Sequence, residues 1–149
     1  MIRYEEVTEH CMQLVNQLIN QYFPDLSSVK IKFLFNTKKC SRGGRLVLGK
    51  CQKPNDLAKH FSLPEAKNED GYQYVITIDK VAYDNSEDID RLRLLRHELR
   101  HVLVIRDDDT KYKIEPHNIE DFVEEIQLNT DDPDWARRVG EIAKKLYKK

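Results

Sequence analysis

The sequence lacks any apolar run long enough to cross a membrane. No stretch approaches the roughly 20 apolar residues of a membrane-spanning helix, so we expect no membrane partner. The opening residues 1–6 contain no apolar core of the kind that a secretory signal requires. We therefore expect a cytoplasmic protein.

Cysteine is scarce. Cys11, Cys40 and Cys51 are an odd number without a Cys-X-X-Cys pair, which favours reduced thiols over a disulfide framework. A metal site formed by Cys40, Cys51 and His60 is an alternative, although its spacing matches no common zinc module. The sequence thus predicts no cysteine-based scaffold.

Repeats, low-complexity segments and obvious linkers are also missing. Apolar residues make up 40% of the 149-residue chain and charged residues 34%, a balance typical of a soluble globular protein. The length suits one domain with an ordinary core. We therefore expect a single domain over residues 1–149.

Acidic residues are absent from residues 26–55, where all eight charged side chains are basic: Lys30, Lys32, Lys38, Lys39, Arg42, Arg45, Lys50 and Lys53. The last six lie in residues 38–53, which we name the basic segment and interpret as part of a hairpin. Clustered lysine and arginine suffice for phosphate contacts, so these six are candidate contacts to nucleic acid. The simpler interpretation is a solvated surface whose charges serve solubility.

Hydrophobic periodicity predicts the elements before the central motif. Residues 7–22 carry apolar side chains at helical spacing and predict an amphipathic helix. Residues 29–35 and 45–49 are typical of two strands of one hairpin. Residues 53–71 have a weak pattern with room for a short helix, and residues 72–79 alternate clearly as a further strand.

Capping residues predict the helices that follow. Ser86 and the acids after it favour a helix over residues 86–105. The acidic residues 107–109 then suit a solvated turn. Residues 117–128 predict another helix, and the Asp-Pro pair that opens residues 132–147 predicts the start of the last one.

The most informative motif lies inside the helix predicted over residues 86–105. His97, Glu98 and His101 form the HExxH pattern of zinc hydrolases. In a helix this spacing puts both imidazoles on one face, where they can bind one ion, with the carboxylate in reach of the metal-bound water. The motif therefore predicts a catalytic metal centre with Glu98 as its general base.

A helical projection separates three faces of this segment. The predicted core face consists of apolar residues: Leu92, Leu95, Leu99, Val102 and Leu103. The face predicted to meet solvent carries arginines: Arg93, Arg96 and Arg100. The two histidines share the third face, with Glu98 at its margin. A core histidine would lie among the leucines, so this separation favours metal binding.

A catalytic zinc ion needs three protein ligands and an open position for water. The downstream candidates are one histidine and four acids: His117, Glu120, Asp121, Glu124 and Glu125. His117 opens a predicted helix after a connection long enough to fold that helix back under the first. Glu120 lies one turn further on the same face, where it is an alternative ligand or a carboxylate that orients an imidazole.

Four segments connect the motif to a known family: GGRLVLGKCQK at 43–53, YVITIDKVAYD at 74–84, LLRHELRHVLV at 94–104 and EPHNIEDF at 115–122. In order and approximate spacing, residues 29–122 resemble the phage-type metallopeptidases, compact relatives of the SprT-like zinc proteases. The resemblance implies an α+β fold of the minimal zincin type. Its parts are an N-terminal helix, a small three-stranded, mostly antiparallel sheet, the HExxH helix and C-terminal helices.

The resemblance also implies the composition of the site. One catalytic Zn²⁺ is bound by His97, His101 and His117, Glu98 is the general base, and the substrate is a protein or peptide. The protein is then bacterial or phage-encoded.

The chain departs from the SprT-like pattern at two places. Asn118 stands where a glycine usually follows the third histidine, which keeps Glu120 as an alternative ligand. No cysteine follows Cys51, so the frequent C-terminal zinc ribbon is missing. The DNA-linked roles of the wider group therefore transfer only weakly.

The predicted chemistry is metal-assisted hydrolysis of a peptide bond, with Glu98 moving the proton from water to the leaving amine. Tyr112 is a candidate donor to the tetrahedral oxyanion, although a tyrosine there also suits packing.

The main alternative is a catalytically silent zincin-like scaffold that binds nucleic acid or a protein through the basic segment. The intact Glu98 counts against it, because a structural zinc site needs no general base. A zinc hydrolase acting on a non-peptide amide is a third alternative.

Overall fold

The computed structural model describes residues 2–68, 70–117 and 123–147. Its strands are β1 (Tyr4–Glu6), β2 (Ile31–Asn36), β3 (Ser41–Arg42), β4 (Arg45–Leu46), β5 (Gly49–Gln52), β6 (Tyr74–Asp79), β7 (Val102–Arg106) and β8 (Thr110–Ile114). Its helices are α1 (Glu9–Tyr22), α2 (Asp56–Ala66), α3 (Lys80–Asp84), α4 (Asp88–Leu99), α5 (Val123–Leu128) and α6 (Trp135–Tyr147). The fold is therefore α+β, as predicted.

One four-stranded sheet has the order β1-β2-β6-β5. β2 and β6 run parallel, and β1 and β5 add to them in antiparallel orientation at the two edges. The predicted sheet had three strands, so the prediction missed one. The missed strand is β1, which has only three residues and so shows no clear alternation of apolar and polar residues.

The predicted hairpin between residues 29–35 and 45–49 is wrong. β2 pairs with β1 and β6, whereas β4 pairs with β3 and β5 pairs with β6. Parallel neighbours need a long crossover connection rather than a tight turn. Proximity in the sequence therefore does not decide which strands are partners here.

The core lies against one face of this sheet. Phe33 and Phe35 of β2 stand in register with Ile76 and Ile78 of β6, and all four are buried. Alternate residues of a strand point to the same side, so these four form one apolar surface. Helices α1 and α4 add the following buried residues to the same core: Cys11, Leu14, Val15, Leu18, Leu94, Leu95 and Leu99.

The first and last helices confirm their predictions. α1 is capped by Thr8, whose side chain accepts a hydrogen bond from the Cys11 amide at 3.1 Å. α6 begins at Trp135, three residues later than predicted, and buries three residues four apart: Trp135, Val139 and Ala143. Its last residue, Tyr147, donates a hydrogen bond to Asp79 Oδ1 at 2.5 Å, which ties the helix end to β6.

The helix that carries the HExxH motif is shorter than predicted. It ends at Leu99 instead of Ile105, and the apolar residues that follow form β7. Three of the four residues from Val102 to Ile105 are β-branched, which favours a strand. The His101 amide bonds to the Glu98 carbonyl at 3.1 Å, so a tighter turn follows the helix and carries His101, while His97 lies in the last helical turn.

Tyr74 fixes the hairpin of β7 and β8 against the sheet. Its ring is fully buried, and its hydroxyl lies 2.9 Å from the Leu103 carbonyl and 2.8 Å from the Lys113 carbonyl. The hairpin, which turns at residues 107–109 as predicted, leads from His101 to the following segment. This anchoring therefore helps to determine where that segment lies.

The arginine face of α4 does not meet solvent, so this prediction is wrong. Arg93 and Arg96 are only 4% and 8% exposed, and Arg100 is partly buried. Arg93 pairs with Asp131, and both Arg96 and Arg100 pair with Glu125. The partners follow some 25 to 38 positions later in the chain, so a helical projection cannot reveal them.

The other predicted face of α4 is confirmed at Leu95 and Leu99, which are completely buried, while Leu92, Val102 and Leu103 are half-buried. Within the described ranges, no helix combines the length and apolar character needed to span a bilayer.

Candidate metal centre

Three histidines converge at the end of α4. His97 lies in the last turn of α4, His101 lies in the turn that directly follows it, and His117 comes from the segment after β8. One ring nitrogen from each lies within 4.8 Å of the other two, and the Nε2 atoms of His97 and His117 are 2.9 Å apart. Among the residues that the structure describes, no other three His, Cys, Asp or Glu side chains form such a group. Three convergent imidazoles are a donor set that fits a catalytic Zn²⁺.

A backbone contact orients His101. Its Nδ1 lies 2.7 Å from the carbonyl oxygen of Glu115, and the Glu115 amide donates to the His101 carbonyl at 2.6 Å. A carbonyl accepts only, so the neutral ring that makes this contact is the tautomer with its proton on Nδ1, in which Nε2 is the nitrogen that can bind an ion. The pairing also holds the segment before His117 against the end of α4.

Glu98 lies beside the histidines in a dry environment. The side chain is 4% exposed and packs against Gly49 at the start of β5. Burial raises the pKa of Glu98 to about 7, against a smaller lowering by the neighbouring His97. A carboxylate with a pKa near neutrality can both take up and release a proton under physiological conditions.

Gly49 leaves the space that Glu98 occupies. A Cβ atom added at Gly49 would lie 3.0 Å from Glu98 Cγ and 3.1 Å from Oε1. The Gly49→Ala variant should therefore displace the carboxylate by a few tenths of an ångström. With Glu98 as the predicted general base, this displacement should lower kcat by roughly tenfold. Steady-state kinetics would measure this loss. Unchanged metal content and circular dichroism would show that the fold is intact, and an unaltered kcat would contradict the packing argument.

A cleft of about 780 Å³ opens beside these side chains. It runs between the chain from β4 to β5 on one side and the beginning of α6 on the other. Its lining includes Arg45, Leu48, Gly49, Glu98, Trp135 and Arg137. His97 and His117 also face it, so a substrate in the cleft would reach both the histidines and the carboxylate.

Of the other candidate ligands, the structure describes only Glu124 and Glu125. Glu120 and Asp121 fall outside the described residues. Glu124 is exposed, and Glu125 is fully buried and bonded to Arg96 and Arg100. Glu125 thus has a structural partner that the sequence did not reveal.

Tyr112 lies on β8, with its ring centroid 6.1 Å from that of Tyr74. It lines a depression shared with His60 rather than the cleft of the histidines. Its role as an oxyanion donor stays a prediction.

The alternative cysteine site gains no support. Burial raises the pKa of Cys51 to about 12, and the nearby charge of Glu98 adds to the effect. A metal ligand must be a thiolate, which this environment disfavours. No described metal-binding group includes Cys40, Cys51 or His60.

The basic segment is exposed at all six candidate positions: Lys38, Lys39, Arg42, Arg45, Lys50 and Lys53. Only residues 41–46 form a hairpin, since β5 joins the main sheet. Arg45 is the member that reaches the cleft.

Sequence reasoning missed three contributors to the site. Gly49 and Trp135 lie far from the HExxH motif in the chain, and Glu115 acts through its backbone. The glycine lies inside a segment that carries the family resemblance, which could have drawn attention to it. The contact between His101 and the Glu115 carbonyl involves the backbone, so no pattern of side chains in the sequence indicates it.

An α+β chain with three convergent histidines beside a buried glutamate defines a candidate metalloenzyme. A family model described as putative phage metallopeptidase matches residues 2–147, nearly the whole chain. The protein belongs to this family, as predicted. The family description implies a bound metal ion and a protein or peptide substrate. Neither curated proteins nor solved structures gave a match.

Proposed function

We propose that this protein is a zinc-dependent metallopeptidase in which His97, His101 and His117 bind one ion and Glu98 is the general base. The observation that carries the proposal is the convergence of three imidazoles beside a buried carboxylate in an open cleft. Three nitrogen ligands leave a fourth position for solvent. A purely structural site would be closed by a fourth protein ligand and would need no adjacent base.

A zinc ion held by these histidines would lower the pKa of a coordinated water toward about 7 and polarise the scissile carbonyl. Glu98 then accepts the proton of the attacking water and passes it to the leaving amine, so its carboxyl group is unchanged after one turnover. The surroundings of Glu98 exclude bulk water and strengthen its interaction with the reacting atoms. Glu115 keeps the ring of His101 in the required orientation through its carbonyl.

The sheet offers a place for an extended peptide. β5 is an edge strand, and its first residue, Gly49, contacts Glu98. A peptide that adds to an exposed edge is held by backbone hydrogen bonds, which any sequence can form. This position would bring a peptide bond close to the general base, which supports a peptide rather than a small amide as substrate.

The His97→Ala variant tests the proposal. Removing one of three ligands should abolish both stoichiometric zinc and hydrolysis of a casein or peptide substrate. Zinc would be measured by elemental mass spectrometry of the purified protein. His10→Ala is the matched control, because His10 lies on the surface and pairs with Asp88. Full zinc content and full activity in His97→Ala would refute the assignment.

A second function rests on the exposure of the basic segment. None of its six cations forms an ion pair with another described residue, so all are open to phosphate groups. Binding of duplex DNA that weakens steeply with salt, without any proteolysis, would favour a catalytically silent scaffold over the peptidase.

A further inference from the structure

The cleft at the histidines continues as a groove. A second cavity of about 370 Å³ adjoins it and shares five of its lining residues: Arg45, Leu46, Leu48, Ala136 and Arg137. Beyond these, the groove passes Gly140 and ends near Lys144 on α6. One continuous depression therefore leads from Glu98 along α6, with β4 and the residues after it as the opposite wall.

Small residues on α6 create this depression. Ala136 and Gly140 are four positions apart, so they lie on the same side of the helix. A Cβ atom at Gly140 would lie 3.9 Å from Leu48 Cδ2, an ordinary contact distance, so α6 and Leu48 meet at this point of the groove. A larger side chain at this position would fill the groove, whereas alanine would fit.

The rim of the groove is mainly cationic. Arg45, Arg137 and Lys144 line the second cavity, where Glu141 is the single acid among the described residues, and Asp134 lines the adjoining cleft. The pair of Arg137 and Glu141 is long, at 3.9 Å, and both side chains are mostly exposed, so it neutralises little charge. The Lys144 ammonium donates to the Gly44 carbonyl at 3.1 Å, which holds this cation across the groove end.

We propose that this groove binds the substrate polypeptide on one side of the scissile bond and selects a segment with acidic side chains. The proposal rests on the proposed function and deepens it. Leu46 and Leu48 contact apolar parts of the segment, while Arg45, Arg137 and Lys144 attract its carboxylates. Gly140, which has no side chain, leaves room for the segment to lie along this side of α6. The groove opens into the candidate active site, which favours a peptide that is cut over a nucleic acid that is only bound.

Three fluorogenic peptides of equal length test the charge preference. They share an apolar centre and carry glutamate, glutamine or lysine four to six positions from it, on both sides. At low salt we expect the acidic peptide to have a kcat/KM roughly ten times that of the lysine peptide, since several exposed charge contacts are involved. The preference should decrease at high salt.

Two double variants test whether the preference for acidic peptides depends on the cations of the groove. Arg137→Gln with Lys144→Gln removes two cations from the groove and should reduce the acidic-over-lysine ratio by roughly three- to tenfold. Lys111→Gln with Lys145→Gln removes the same charge from β8 and from the outer side of α6, and neither residue lines the groove. This control should keep the wild-type ratio.

The space at Gly140 is tested by binding rather than turnover. In a Glu98→Gln background, the acidic peptide should bind at least tenfold more weakly to Gly140→Leu than to Gly140→Ala, as measured by fluorescence anisotropy. Circular dichroism establishes that both variants fold. If Gly140→Leu does not fold, the smaller Gly140→Ser is compared instead.

The outcomes separate the two proposals. Hydrolysis of all three peptides at equal rates, or equal binding by the Gly140 variants, would refute the groove assignment and leave the peptidase intact. No hydrolysis of any peptide by the zinc-loaded wild type would refute the peptidase itself. Displacement of the acidic peptide by single-stranded DNA, with no peptide cleaved, would assign the groove to nucleic acid and overturn the proposal.

Discussion

Replacing Glu98 by glutamine is expected to lower kcat for peptide hydrolysis by about 10²- to 10⁴-fold without loss of the metal ion. The amide has nearly the same volume as the carboxylate, so it fits the space beside Gly49. It cannot accept the proton of the attacking water, and general-base catalysis is lost. The three histidines are unaltered, so zinc remains.

Two measurements on the same preparation check this result. Elemental mass spectrometry gives the zinc content, and a fluorogenic peptide gives the turnover number. His97→Ala is the complementary variant, since it should lose both zinc and activity. A metal-free Glu98→Gln protein together with a fully active His97→Ala protein would overturn the entire assignment of the centre.

Replacing Glu125 by alanine is expected to destabilise the protein by about 3 to 5 kcal/mol. Glu125 is 0% exposed and accepts hydrogen bonds from Arg96 Nε at 2.8 Å and from Arg100 Nε. Its removal would leave two largely buried guanidinium groups without their counter-charge. The expected loss of free energy of unfolding is larger than the net stabilisation by the ion pair itself, because a buried charge without a partner is strongly unfavourable.

Urea unfolding followed by circular dichroism would give the loss in free energy of unfolding. Glu125→Gln separates charge from hydrogen bonding, and its effect should be intermediate because an acceptor oxygen remains. Glu141→Gln is the surface control: its pair with Arg137 is exposed, so the change should cost less than about 1 kcal/mol. Equal stability of Glu125→Ala and Glu141→Gln would show that the buried ion pairs contribute nothing.

The arginines of α4 illustrate why the sequence predicted some features and not others. Periodicity identified Leu95 and Leu99 as core residues, because burial of an apolar face repeats with the helical turn. The same projection assigned Arg93 and Arg96 to solvent. It could not include Glu125 and the other acids that approach from later elements, so it missed a polar interface that buries charge.

For the strands too, the sequence predicted individual elements but not how they pair. The alternation of residues 72–79 predicted β6, and residues 29–35 predicted β2. Their parallel pairing in the sheet depends on a crossover of nearly 40 residues and on the packing of α1 and α4 against Phe33 and Ile76. Residues 29–35 and 45–49 were therefore paired wrongly, although β2 and β6 were both found.

The chain alone determined what depends on local spacing: two imidazoles one helical turn apart, a glutamate beside the first, the amphipathic terminal helices and a run of exposed cations. Contacts between distant segments decided the rest. Only the folded chain brings His117 within 2.9 Å of His97, places Gly49 against Glu98 and opens a groove beside Gly140. Local spacing is set by backbone geometry, whereas these approaches depend on how whole elements pack, which periodicity in one segment cannot encode.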